Sequence, residues 1–94
     1  MVIPATFQGI LWSKGIQKLD LKRDRNYIIH QTLALGTLEN IIWLFKTFSK
    51  SEILQVFVKY PQKVYTKASL NFTKNILLGL KMKLNEKNYL QAPS

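Results

Sequence analysis

The hydrophobic residues in the middle of the chain recur at helical spacing, in stretches that turn signals separate. The first stretch predicts a helix over about 23–35, with Gly36 in the position of a C-terminal cap. Thr37 then caps a second helix, about 38–48. Its aliphatic and aromatic residues form a stripe wider than one neighbouring element can cover. We therefore expect the second helix to lie centrally in the domain.

A third helix is predicted over about 50–59. Ser49 and Glu52 form the Ser-x-x-Glu capping box, in which each side chain satisfies a backbone N–H of the other residue. Pro61 disfavours helical geometry at Tyr60 and so ends the helix. The apolar run ILQVFVKY also has the composition of a strand, but the capping box favours the helix.

A fourth helix is predicted over about 67–80, after a cap at Thr66. Glycine near its end weakens the helix there. The apolar residues of this stretch predict which side of the helix is buried. These residues are Ala68, Phe72, Ile76, Leu77 and Leu80.

The whole chain, 1–94, is predicted to form one all-α domain, a small compact bundle of about four helices, because a chain of this length cannot support two cores. Residues 1–19 contain glycine and proline and predict an irregular arm, with Trp12 docked on the core. The helical core would occupy 20–82, and a short tail 83–94.

The composition adds a strong positive charge to this picture. Fourteen Lys and Arg residues against five Asp and Glu residues give a formal net charge of +9, which attracts nucleic acid, an anionic membrane or an acidic protein. The chain has no cysteine, which excludes disulfide and thiol chemistry. The sequence shows neither a secretion signal nor the apolar run of ~20 residues that spans a bilayer. We expect a cytoplasmic protein with no membrane partner.

Lysines are concentrated on and around the fourth predicted helix. Lys67, Lys74 and Lys81 are seven residues apart, with Asn71 between the first two, so they share one helix face. With Lys63 in the preceding loop, they are our candidate residues for binding an acidic protein or nucleic acid. Lysine supplies point charge rather than base recognition, so DNA binding here would weaken steeply with salt. A solvated helix face gives the same pattern and stays open as an alternative.

A DNA-binding regulator is the alternative function. The turn at Gly36 would make the second helix the recognition helix, but that helix is mostly apolar, whereas base edges are read by polar side chains. A helix-turn-helix-like unit of helices about 50–59 and 67–80 fits better, with the later helix reading DNA.

An enzyme is a remote alternative. Arg25 and His30 give an Arg-x4-His spacing that resembles the motif of HEPN-type ribonucleases, and Arg23 gives Arg-x6-His. Five positions along a helix, however, leave two side chains about 140° apart. The carboxylates are scattered, and the sequence has no Gly-rich phosphate loop and no Ser-His-Asp arrangement. We predict no catalytic residue, no metal ligand and no cofactor.

The chain also resembles a family of short bacterial and archaeal proteins of unknown function. The family's best mark is a helix-glycine-Thr-Leu-Glu turn before an aromatic-rich helix. Two positions depart from its pattern: Ser13 follows Trp12 where an acidic residue is more usual, and His30 stands where Glu is common. The resemblance is carried by ILW at 10–12, LDLKRDRNYIIHQTLALGTLENIIWLF at 19–45, SKSEILQVF at 49–57 and TKASLNFTKNILLGL at 66–80.

This resemblance implies an antitoxin or accessory subunit, because genes of the family often neighbour genes for nucleotidyltransferase-like toxins. It implies no catalytic residues. Together with the charge, it leads us to expect a non-enzymatic interaction module. Its partner would be an acidic protein, with a nucleotidyltransferase-like toxin as one candidate, or nucleic acid.

Overall fold

The computed structural model describes residues 7, 9, 19–80 and 83–91. In these residues the chain forms four α-helices and no strand, which confirms the all-α fold class. A π-helical turn continues the fourth helix, and a short 3-10 turn follows later in the chain. The helices are α1 (Arg25–Leu35), α2 (Leu38–Thr47), α3 (Lys50–Lys59) and α4 (Lys67–Phe72), and the two turns are Thr73–Leu77 and Glu86–Asn88.

The helix starts follow from local capping. The Asn40 backbone N–H donates to Thr37 Oγ1 at 3.2 Å, and Asn40 Oδ1 accepts the Thr37 backbone N–H at 3.0 Å. At α3 only half of the predicted capping box is present. Ser49 Oγ accepts the Glu52 backbone N–H at 3.1 Å, but the Glu52 carboxylate binds Arg25 Nη1 of α1 at 3.0 Å instead. The acidic residue therefore links two helices rather than closing its own cap.

Gly36 ends α1, as predicted, but for a different reason than a left-handed cap. Its φ of −72° is open to any residue. A Cβ at this position, however, would stand 2.5 Å from the Thr32 carbonyl oxygen and 3.1 Å from Asn40 Cβ. Glycine is needed here because the beginning of α2 passes so close to the end of α1.

The central helix is α1, so the prediction that the second helix lies centrally in the domain is wrong. Every residue from 28 to 33 is buried, and α1 contacts α2, α3 and α4. On α2, by contrast, Leu38 and Ile42 are exposed. The aromatic residues of α2 widened its apolar stripe, but Trp43 and Phe45 are only half-buried.

An aromatic contact joins α2 to the N-terminal part of the chain. Phe7 is fully buried, and its ring meets the ring of Trp43 edge to face, with centroids 4.8 Å apart. This contact gives the beginning of the chain an apolar anchor. Most of the predicted arm, Trp12 included, lies outside the described residues.

The buried side of α4 also differs from the prediction. Phe72 and Ile76 are 46% and 68% exposed, whereas Leu70 and Thr73 are buried. Thr73 Oγ1 donates to the Leu33 carbonyl of α1 at 3.3 Å, which turns the Leu70 and Thr73 side inward. The helix also ends earlier than residue 80, in the π-helical turn.

Residues 83–91, which include most of the predicted tail, pack against the core. Gly79 has a φ of +59°, which glycine adopts without strain, where the chain turns back after α4. The Tyr65 backbone N–H donates to the Tyr89 carbonyl at 3.0 Å, and the Gln91 N–H donates to the Tyr65 carbonyl at 2.9 Å. Tyr89 is buried, and its hydroxyl donates to the Phe57 carbonyl at 2.7 Å. This segment is therefore held in place beside α4.

Among the described helices, none has the length and apolar character that crossing a membrane requires.

Candidate functional site

The predicted lysine stripe is divided in the structure. Lys63, Lys67 and Asn71 are exposed, while Lys74 is half-buried. Lys67 and Asn71 lie on α4 and Lys74 lies on its π-helical continuation, where their spacing puts the three near one face. Lys81 lies outside the described residues. The stripe therefore has an open part, nearest the start of α4, and a part that another segment borders.

An ion pair connects α4 to the C-terminal segment. Lys67 Nζ lies 2.7 Å from Glu86 Oε1, with the two side chains 64% and 42% exposed. Each charge compensates the other, so Lys67 contributes less to the outward positive field than its sequence position indicated. The pair also keeps the Glu86 carboxylate directed toward α4.

Beside this ion pair lies an open cleft of about 750 Å³, between α4 and residues 83–87. We call it the C-terminal cleft. Three lysines line it, together with two leucines, an asparagine and Glu86. None of the ion pairs between described residues involves these three lysines. The lining residues are Leu70, Lys74, Lys83, Leu84, Asn85, Glu86 and Lys87.

Lys83 and Lys87 were not among the predicted site residues. The lysine-rich run KMKLNEK did show that this part of the chain is basic. Their position opposite Lys74 depends on the turn at Gly79 and on the docking of Tyr89, which are long-range features that helical spacing does not contain.

Exposed apolar side chains form a second feature of the surface. Phe72 and Ile76 lie on either side of Thr73, which binds α1 at Leu33. Leu35 at the end of α1 and Leu38 and Ile42 on α2 are exposed as well. We call these exposed residues the apolar face. It consists of Leu35, Leu38, Ile42, Phe72 and Ile76.

His30 is fully buried, and both of its ring nitrogen atoms are bonded. Nε2 lies 2.8 Å from the Tyr60 carbonyl oxygen, and Nδ1 lies 2.8 Å from the Tyr65 hydroxyl. Because a carbonyl only accepts, Nε2 carries the proton and Nδ1 accepts the Tyr65 O–H. Burial lowers the pKa of His30 and raises the pKa of Tyr65, so both groups are neutral at pH 7.

The arginines of the ribonuclease-like spacing have other partners. Arg25 Nη1 binds Glu52 at 3.0 Å, and Arg23 Nη2 lies 2.9 Å from Asp24 Oδ2. His30 is enclosed among aromatic rings, with the ring centroids of Phe57 and Tyr65 6.0 and 5.7 Å away. This geometry favours a structural role for His30.

The predicted helix-turn-helix-like unit corresponds to α3 and α4. The α-helical part of α4 has six residues before the π-helical turn, and its exposed residues are Lys67, Ala68, Asn71 and Phe72. Of these four, Lys67 and Asn71 have side chains that can pair with a base edge, and Lys67 is paired with Glu86. The unit thus offers few groups for reading sequence.

Comparison with known proteins concerns mainly the first three helices. No curated protein and no solved structure matches the chain. A family model matches residues 7–57, which is more than half of the 94 residues and agrees with the predicted resemblance to a family of unknown function. The candidate lysines and the C-terminal cleft follow the matched segment. The chain therefore belongs to the family of unknown function DUF6922.

Proposed function

We propose that this protein is a non-enzymatic interaction module, an accessory or antitoxin-like subunit, that binds an acidic protein through the outer side of α4. One observation carries the proposal. Phe72 on α4 and Ile76 on its continuation are exposed apolar side chains, and the same short segment also exposes the polar Lys67 and Asn71. Protein interfaces combine these features, with an apolar centre and a polar rim.

The apolar face supports a protein partner more than a nucleic-acid backbone. Burying a large apolar side chain that was exposed contributes about 1.5–3 kcal/mol, and phosphate groups provide no apolar surface to bury it. Leu35, Leu38 and Ile42 extend this face beyond α4. Exposed apolar side chains that adjoin one another mark interaction sites.

The charge of the chain supports an acidic partner. A net charge of +9 repels a second copy of the chain and attracts proteins of opposite charge. Lys63 and Lys67 are both exposed, before α4 and at its first residue, and would supply part of this attraction. The family resemblance makes a nucleotidyltransferase-like toxin the first partner to test.

The test is purification of the tagged full-length chain from its host, with nuclease treatment and a wash at high ionic strength. We expect a stoichiometric acidic protein to be retained, because apolar contacts persist when salt screens the charges. The double variant Phe72→Gln/Ile76→Gln should lose this protein. The matched control is Val58→Gln/Tyr60→Gln, which changes two exposed side chains outside the apolar face. Equal retention by both variants, or equal loss, would contradict the proposal.

Nucleic-acid binding is the second candidate, and the exposed lysines favour it. A regulator of this kind would bind DNA in a salt-sensitive way with weak sequence preference. Its binding would be lost in Lys63→Glu/Lys67→Glu and kept in Phe72→Gln/Ile76→Gln. Because the two candidates predict opposite effects of these variants, one set of proteins distinguishes them.

A further inference from the structure

We propose that the C-terminal cleft is a binding site for a nucleoside polyphosphate. The cleft has walls that are fixed by the fold. One wall is α4 with its π-helical turn, which Thr73 bonds to α1. The other wall is the segment that carries the 3-10 turn, which Tyr89 and the backbone bonds at Tyr65 hold to the core. The volume of this open cleft, about 750 Å³, lies within the range of small-molecule sites.

The charges that line the cleft select a multiply charged anion. Lys74, Lys83 and Lys87 approach it from both walls. The carboxylate that also lines it, Glu86, is compensated by Lys67 at 2.7 Å, which does not line the cleft. The cleft is left with an excess of positive charge. Lysine ammonium groups bind phosphate oxygens as point charges, so successive phosphates suit these separated lysines.

The apolar part of the cleft selects a nucleoside attached to those phosphates. Leu84 lines it beside the lysines and is half-buried, whereas Leu70 at the cleft wall is already buried in the core. Inorganic phosphate would leave the exposed part of Leu84 without a contact, and a sugar or base ring would cover it. Asn85 also lines the cleft; its Oδ1 already accepts the Lys87 backbone N–H at 3.3 Å, and its amide nitrogen can donate to a base or a ribose hydroxyl.

This site goes beyond the proposed function and is independent of it. Partner binding was assigned to the apolar face, whereas the nucleotide would occupy the opposite flank of α4. Loss of one activity therefore does not imply loss of the other. The variants at Phe72 and Ile76 should bind nucleotide normally.

The experiment is calorimetric titration of the full chain with ATP and, separately, with inorganic triphosphate, in magnesium-free buffer. We expect ATP to bind more tightly than triphosphate. The variant Lys83→Met/Lys87→Met keeps the apolar stems but removes two charges, and should weaken both probes by about tenfold or more. The matched control Lys46→Met/Lys50→Met, at exposed lysines elsewhere, should change binding by less than about twofold.

A further variant tests the nucleoside directly. Leu84→Gln should weaken ATP binding and leave triphosphate binding unchanged, because only the nucleoside contacts this side chain. Thermal unfolding of each variant confirms that it is folded. The proposal is overturned if ATP does not bind, if triphosphate binds as tightly as ATP, or if the control variant weakens binding as much as the cleft variant. Saturable binding of a single-stranded oligonucleotide but not of ATP would also overturn it, in favour of a nucleic-acid groove.

Discussion

Polar groups in the core around α1 bond to one another, whereas several on the C-terminal side around α4 are open to solvent. In the core, His30 bonds through both ring nitrogens, and no buried side-chain nitrogen or oxygen of the described residues lacks a partner. On the C-terminal side, Lys83 and Lys87 have no ion-pair partner in the described part of the chain. Polar groups that satisfy one another stabilise the fold, while those left open to solvent are available for ligands. This contrast is the reason for proposing that ligands bind on the C-terminal side, while the polar groups of the core serve the structure.

The largest effect is expected from His30→Ala. This change leaves the Tyr60 carbonyl and the Tyr65 hydroxyl without their partner and opens a cavity among aromatic rings. Lost packing and unsatisfied groups together should reduce the free energy of unfolding by about 3–5 kcal/mol, measured by urea denaturation. The exposed control Gln55→Ala should change it by less than about 0.5 kcal/mol. Similar losses in both variants would show that His30 is not part of a stabilising network.

The Gly36→Ala variant tests the closeness of α1 and α2. The added methyl group would meet the Thr32 carbonyl oxygen at 2.5 Å, a backbone atom that cannot move aside cheaply. We expect destabilisation by about 1–3 kcal/mol from this overpacking. Gly9→Ala is the control, because nothing lies within 4 Å of its Cβ position. Thermal unfolding of the two variants measures the difference, and a fully stable Gly36→Ala protein would contradict the steric argument.

Acid should destabilise the core through the same histidine. Burial lowers the folded pKa of His30 below its ordinary value of 6.5, so the unfolded chain binds more protons in the window below 6.5. The stability from neutral His30 is fully present above pH 6.5 and is lost as the pH falls through the folded pKa. Each unit of lowering corresponds to about 1.4 kcal/mol.

No second histidine contributes to this pH dependence. His30 is the only histidine in the chain, and the Tyr65 phenol facing it has a raised pKa and stays neutral. Urea denaturation at a series of pH values from 7 downward should show the loss in the wild-type protein. A free energy of unfolding that stays constant down to the ordinary carboxylate range, about pH 4, would contradict a lowered pKa.

Features of the fold that depend on residues close together in the sequence could be predicted, whereas features that depend on distant residues could not. Thr37, Ser49 and Thr66 mark helix starts because a cap acts within a few residues, and all three accept the backbone N–H that was expected. The buried side of α4 was predicted wrongly, because Thr73 is polar and its bond to Leu33 spans 40 positions. An apolar pattern cannot identify a polar residue that faces the core.

The candidate site shows the same limit. The exposure of Lys63 and Lys67 could be predicted, because lysines on a helix or loop usually face solvent. That Lys74 lines the same cleft as Lys83 and Lys87 could not be predicted, since it requires the chain to turn at Gly79 and return beside α4. Helical spacing describes neighbours on one element, whereas this cleft is built from two.

The smallest effect on stability is expected from separating Lys67 and Glu86, and this change also tests the charge of the C-terminal cleft. Both side chains are well exposed, so Lys67→Met should cost about 0–1 kcal/mol of stability, and less at high salt. Its effect on the C-terminal cleft is indirect. Without Lys67, the Glu86 carboxylate faces the cleft uncompensated and should weaken ATP binding, although Lys67 itself does not line the cleft. Glu86→Gln removes the same ion pair but should strengthen ATP binding. Calorimetry should show ATP affinity shifting in opposite directions in the two variants, while their stabilities change by equally small amounts. This result would show that the charge of Glu86 acts on the cleft and not through the folding of the chain. Shifts of the affinity in the same direction would contradict the assigned role of Glu86.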